Sequence, residues 1–181
     1  MTVRRLRTDE LTEAEVARLR ELMTDAFAND EHGGFTDDDW QHALGGMHFL
    51  LELDGRIVTH ASVVERSLHV AGRPLRTGYV EAVATDPPHH GKGYGSEVMR
   101  EVGAYLDDAG FEMAALGTGS QPFYERLGWQ IWRGHSSVRS GSREEPTPDE
   151  DGYIMFLRTA ASPALDPAAQ ISCEWRPGDV W

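Results

Sequence analysis

The stretch from Gly78 to Asp108 limits the fold more than any other. It continues an alternating segment, Leu75 to Thr85, that reads as a strand. Asp86-Pro87-Pro88 breaks that strand, because proline has no N–H and fixes its own φ. The turn His90-Gly91-Lys92-Gly93-Tyr94-Gly95 follows. Val98, Met99, Val102, Tyr105 and Leu106 then recur at helical spacing until Gly110. Strand, glycine turn and helix in this order begin a βαβ unit, so Phe111 to Leu116 is expected to be a short buried strand parallel to the first. Glycines at a helix start let a ligand approach the backbone, and the unpaired N–H groups there suit a phosphate or pyrophosphate. The spacing is neither a P-loop, since Lys92 is followed by Gly93, nor a dinucleotide fingerprint.

The remaining elements read outward from this unit. Val3 to Arg7 alternates as a short edge strand. Thr12 is an N-cap for a helix to Phe27, with Val16, Leu19, Leu22, Met23 and Phe27 on one face. Ala28 to Phe35 is a polar loop containing Asp30. Thr36 caps a short second helix to about Leu44. Asp37, Asp38 and Asp39 in its first turn suit the helix dipole, or some of them face a cationic ligand. Asp54-Gly55 marks a type I′ hairpin between Met47–Leu53 and Arg56–Arg66. Ala71-Gly72-Arg73-Pro74 is the next turn. Along the central strand Gly78, Val80, Ala82 and Ala84 form a small apolar face to lie under a helix. The other face carries Glu81 and Val83, and a bulge there would re-aim both. Pro122 opens a short helix with Phe123, Tyr124 and Leu127. Gln130 to Val138 and Tyr153 to Arg158 are expected as the last strands, with Arg139 to Asp151 a polar, acidic surface loop.

Composition removes several classes. At 181 residues the chain is most simply one domain with a proper core. There is no apolar run of transmembrane length and no signal-like N-terminus. A single cysteine, Cys173, excludes an internal disulfide and fits a cytoplasmic setting. A net charge of −13 repels nucleic acid and anionic membrane and steers cations inward. The eight histidines make no ligand set with cysteine or carboxylate, so no metal is expected, and they read as surface or packing residues.

His90-Gly91-Lys92-Gly93-Tyr94-Gly95 resembles the acyl-CoA loop of the GCN5-related N-acetyltransferases, with His90 where that family has Gln or Arg. Tyr124 to Trp129 is similar to a second segment of the same family. Within it, the chain resembles the aminoglycoside 2′-N-acetyltransferases. The matching segments are Phe35-Thr36 with Asp39-Trp40, Leu44 to His48, Gly78 to Glu81, Thr147 to Gly152, and Trp175-Arg176 with Gly178-Asp179-Val180-Trp181. The resemblance implies an α/β fold with a mostly antiparallel sheet of six to seven strands. The sheet would have a splayed parallel central pair and about four flanking helices. It also implies acetyl-CoA as the acyl source and a homodimer. Backbone groups of Val83, Ala84 and Thr85 would hold the pantetheine arm, and His90, Gly91, Lys92, Gly93, Tyr94 and Gly95 the pyrophosphate. Asp39, Glu81, Ala82, Gly117, Asp149, Glu150, Asp179 and Trp181 would contact the cationic drug. The family has an acid just before the position of Phe35; here that place is Gly34, after an insertion, and Asp30 is the acid further back. Gly117 replaces a family serine.

The chemistry follows from the reactants. An ammonium group cannot attack a thioester until it loses a proton, and Glu81, or alternatively the Trp181 carboxylate, is the acceptor. The Val83 N–H stabilises the oxyanion, and Tyr124 supplies the proton to the leaving thiolate. Two other readings stay open at this level. One is acetylation of another amine on a polyamine, metabolite or peptide N-terminus. The other is a non-catalytic module that binds acyl-CoA or drug.

Overall fold

The computed structural model describes residues 2–28 and 34–181. Its chain divides into two compact units, Met1–Val64 with Val80–Ala104, and Glu65–Tyr79 with Tyr105–Trp181.

In the first unit, β1 (Val3–Arg7) lies antiparallel to β2 (Met47–Leu53), and β2 antiparallel to the start of β3 (Arg56–Val70). Asp54 and Gly55 join β2 to β3 at φ 49° and 77°, the left-handed pair that a type I′ turn requires. α1 (Glu13–Ala26) starts at a reciprocal capping box between Thr12 and Glu15, and α2 (Asp37–His42) at one between Thr36 and Asp39. Leu19, Leu22 and Met23 of α1 pack with Trp40, Leu50, Ile57 and Ala84 to form this unit's core. A Cβ on Gly46 would overlap the Val63 carbonyl, so only glycine lets the chain enter β2 here.

β3 turns at Ala71 and Gly72 into β4 (Arg73–Thr85). Arg73 and Pro74, expected in the turn, begin the strand instead, where a proline removes no needed donor. In the second unit, β4 pairs in parallel with β5 (Met113–Gly117), from Thr77↔Met113 to Tyr79↔Ala115. β5 is antiparallel to β9 (Ile154–Leu157), and β9 to β6 (Gln130–Ile131). The end of β3 is antiparallel to β10 (Ile171–Glu174), which runs parallel to β7 (Ser136–Ser140); β7 is antiparallel to β8 (Arg143–Pro146). α3 (Tyr94–Asp108) connects β4 to β5, and α4 (Gln121–Glu125) follows β5. Leu106 of α3 and Phe111 cover Gly78, as the small apolar face of β4 required.

The fold is α/β with a mixed sheet and four α-helices among the described residues. Among the described residues there are ten strands rather than six or seven. The strand expected over Gln130 to Val138 is interrupted, because the N–H groups of Arg133 and Gly134 both donate to the Pro167 carbonyl, at 2.8 and 3.0 Å, while the Trp132 indole donates to the Ala169 carbonyl at 2.8 Å. The loop expected over Arg139 to Asp151 is largely the β7–β8 hairpin and a 3-10 turn at Pro148–Glu150. β10 was not expected; its signal is the alternation of apolar Ile171 and Cys173 with polar Ser172 and Glu174, too short to read alone. No helix among the described residues is long and apolar enough to cross a membrane.

Candidate active site

The end of β4 carries the first cluster of expected residues. Ala82 sits at φ 51°, a left-handed value that a residue with a Cβ rarely takes, and it interrupts the strand between Glu81 and Val83. A left-handed residue here breaks the regular alternation of the strand's two faces. The Ala82 carbonyl accepts from His60 Nδ1 at 2.8 Å, and the Glu81 carbonyl accepts from Ser62 Oγ at 3.3 Å. Glu81, Ala82, Val83 and Thr85 are half-buried, while Ala84 points into the core beside α1.

Asp86 then leaves the strand, buried and paired with Arg18 at 2.9 Å. The turn beyond it has Gly91 at φ 73° and Gly93 at φ 84°. A Cβ on either would meet nothing within 4 Å, so backbone conformation, not crowding, demands glycine. The first helical bond of α3 runs from Glu97 N–H to the Gly93 carbonyl at 3.1 Å. That leaves the N–H groups of Gly93, Tyr94, Gly95 and Ser96 without intrahelical acceptors. A concave backbone with these donors and the positive end of a fifteen-residue helix fits a pyrophosphate. Gly95 lies within the first turn of the helix rather than in the loop. His90 turns its Nε2 back onto the Thr85 carbonyl at 2.6 Å, fastening the turn to the strand end. Lys92 is exposed.

The second unit holds another cluster. Tyr124 is buried on α4, edge-on to Phe123 and Trp129. Burial pushes its phenol pKa well up, so the group keeps its proton at neutral pH. Trp181 is buried as well. Its N–H donates to Asp179 Oδ1 at 3.1 Å, and its terminal oxygen accepts from Arg176 at 3.2 Å. The indole N–H donates to Thr147 Oγ1 at 3.0 Å. Thr147 Oγ1 donates to Ser136 Oγ at 2.8 Å, and Ser136 donates to Asp151 Oδ1 at 2.8 Å. Burial alone would raise the Asp151 carboxyl, but hydrogen bonds from His135 and Ser136 outweigh it and hold it below the usual range. Arg66, buried, donates to the Glu174 carboxylate at 2.9 Å and to the Val180 carbonyl at 2.9 Å, with its guanidinium over the Tyr79 ring. These contacts give the tail its fixed course.

The sequence-derived residues are therefore placed as follows. Glu81 to Thr85 and His90 to Gly95 form one continuous strand end and turn. Gly117 and Trp181 come together: a Cβ on Gly117 would lie 3.7 Å from the terminal carbon. Asp149 and Glu150 sit on the 3-10 turn beside Asp151. Asp39 is committed in part to its helix, with Oδ2 accepting from the Thr36 N–H and hydroxyl at 2.8 Å each. Asp30 lies outside the described residues. Thr147, Ser136, Asp151 and Arg176 were not singled out as site-forming, although three of them fall in the matched segments; buried bonding between distant segments leaves no spacing to read. Among the described residues no group of three or more His, Cys, Asp or Glu is arranged to hold a metal.

Residues 7–132 match the model of an acetyltransferase (GNAT) domain. The chain is 36% identical over 184 residues to an aminoglycoside 2′-N-acetyltransferase of Mycolicibacterium fortuitum, covering 99% of this chain and 92% of that protein. A GNAT-family N-acetyltransferase of Escherichia coli (YhbS), solved with CoA, superposes with a TM-score of 0.67 at 14% identity, over 95% of this chain and 88% of that one. A GNAT-family acetyltransferase of Brucella melitensis, solved with acetyl-CoA, gives 0.61 at 17% identity, over 91% and 92%.

Proposed function

The chain belongs to the GCN5-related N-acetyltransferase family, and from that premise we propose that it transfers the acetyl group of acetyl-CoA to the 2′-amine of an aminoglycoside, conferring resistance. The observation that carries the substrate is the near full-length similarity to the M. fortuitum enzyme. A net charge of −13 agrees with a polycationic substrate.

In this reading the donors of the Gly91–Gly95 turn hold the pyrophosphate, and backbone groups of Val83 to Thr85 pair with the pantetheine arm. Acetyl-CoA supplies an activated acyl carbon. Everything else comes from the chain. Glu81 accepts the proton that the substrate ammonium must lose, directly or through water. The Trp181 carboxylate is the weaker choice of base, because Arg176 already occupies one of its oxygens. The Val83 N–H stabilises the charge that develops on the carbonyl oxygen. Tyr124, its proton held tightly by burial, donates a hydrogen bond to the departing sulfur. By resemblance, Asp39, Gly117, Asp149, Glu150, Asp179 and Trp181 are the candidate contacts for the polycation, with Asp30 as a further acid. The enzyme works as a cytoplasmic homodimer, which the mass of the protein in solution tests.

The test is thiol release from acetyl-CoA with kanamycin B, spermidine and an unblocked peptide as acceptors. Release with kanamycin B alone is expected. Release with spermidine or peptide but not kanamycin B would replace the substrate, and drug binding without any release would replace the enzyme by a binding module.

A further inference from the structure

Two histidines read from sequence as surface or packing residues form a buried chain that ends at the β4 irregularity. Thr8 Oγ1 and His48 Nε2 are 2.8 Å apart, His48 Nδ1 and His60 Nε2 are 2.9 Å apart, and His60 Nδ1 lies 2.8 Å from the Ala82 carbonyl. Both rings are completely buried. On β3, His60 and Ser62 share a face, and His48 stands opposite Ser62 in the β2–β3 register, diagonal to His60.

The proton positions in this chain follow from its end. A carbonyl only accepts, so His60 carries its proton on Nδ1. Burial, helped by the neighbouring His48, lowers the His60 pKa to about 3, so the ring is neutral and Nε2 accepts. His48 must then donate from Nδ1. Burial lowers its pKa to about 4, so its Nε2 in turn accepts, from the Thr8 hydroxyl. Thr8 Oγ1 itself accepts from the Gly45 N–H at 2.8 Å. Its alternative acceptor, the Gly46 carbonyl, is 3.4 Å away and weaker. One arrangement thus satisfies every group, and both rings hold the Nδ1–H tautomer.

A proton relay does not explain this chain, because it terminates on a carbonyl that cannot hold a proton. Packing alone does not explain it either, since aliphatic side chains would fill the space without buried polar atoms to satisfy. What the chain grips is the carbonyl of the one residue of β4 in a left-handed conformation, between Glu81 and Val83. We propose that His48 and His60 are positioning residues for acetyl transfer: by fixing the Ala82 carbonyl they set the aim of the Glu81 carboxylate and the Val83 N–H. The proposal rests on the function given above.

The experiment has two arms. In protein labelled with ¹⁵N-histidine, long-range nitrogen–proton spectra report each ring's tautomer without any turnover. Nδ1–H on both buried rings is expected, and Nε2–H on either overturns the network. In the second arm His60→Leu and His60→Asn are compared by kcat, by KM for amine and acetyl-CoA, and by Tm. Asparagine can place an N–H where Nδ1–H was, and leucine cannot. The leucine variant should lose about tenfold or more in kcat, beyond any change in KM, as expected for an interaction that matters in the transition state. The asparagine variant should recover most of that loss even if its Tm falls equally. Equal kcat losses tracking Tm would reduce the pair to a structural role and overturn the proposal. A wild-type protein that acetylates no amine overturns it together with the function it rests on, and the tautomer spectra distinguish that failure from a mistaken network.

Discussion

At the scale of single residues, two of the candidate acids are partly held by their own chain. Trp181 and Asp39 each have a carboxylate oxygen bound within the chain, by Arg176 and by the Thr36 cap. Removing the proposed base by Glu81→Gln should lower kcat by about 10²–10⁴-fold, the usual worth of general base catalysis. Asp39→Asn should lower α2 stability and raise KM for the amine rather than lower kcat. Steady-state kinetics beside thermal melts check the pair; a silent Glu81→Gln change would move the base elsewhere. Tyr124→Phe should reduce kcat without shifting the pH profile near neutrality, because the buried phenol is protonated throughout that range. A pH–rate limb that vanishes in the phenylalanine variant would show instead that the phenol titrates there.

At the scale of elements, the glycines divide by what they avoid. Gly91 and Gly93 avoid a disfavoured backbone, with open space around them. Gly93→Ala should cost about 1 kcal/mol of stability from the left-handed φ and raise KM for acetyl-CoA while leaving KM for the amine nearly unchanged. Gly134 avoids a collision, since a Cβ there would overlap the Ala169 carbonyl. Gly134→Ala should prevent normal folding, seen as loss of soluble protein or of a cooperative melt. The same contrast explains what was legible in the chain. Local chemistry spoke clearly: the Asp54-Gly55 hairpin, the Thr12 and Thr36 caps, the glycine turn and the parallel β4–β5 pair all appear as read. Long-range bonding did not. The Trp132 indole bonds to Ala169, thirty-seven residues away, and Thr147 is tied to both Ser136 and Trp181. The histidine chain spans Thr8 to Ala82. No periodicity records such partners. The candidate site was readable from spacing only where its residues are contiguous, from Glu81 to Gly95; its candidates at the tail came from family resemblance alone.

At the scale of the whole molecule, charge and protonation have measurable consequences. The folded His48 and His60 sit near pKa values of about 4 and about 3, below the ordinary 6.5 of an unfolded histidine. The unfolded chain therefore binds more protons than the folded one between these values. Stability should be full above about pH 6.5 and fall as pH drops toward 4, by up to about 1.4 kcal/mol per pH unit for each ring. Urea midpoints at pH 7, 6 and 5 should decline less steeply in a His48→Leu, His60→Leu chain; an unchanged slope would mean the rings are not buried neutral. With a net charge of −13, KM for a polycationic acceptor should rise with salt while KM for acetyl-CoA does not follow it. The most direct measurement compares kanamycin B with kanamycin A, which differ only in carrying an amine or a hydroxyl at the 2′ position. Thiol release from acetyl-CoA with kanamycin B and none with kanamycin A is the expected result. Equal release with both would place the acetyl group on another amine and contradict the assignment.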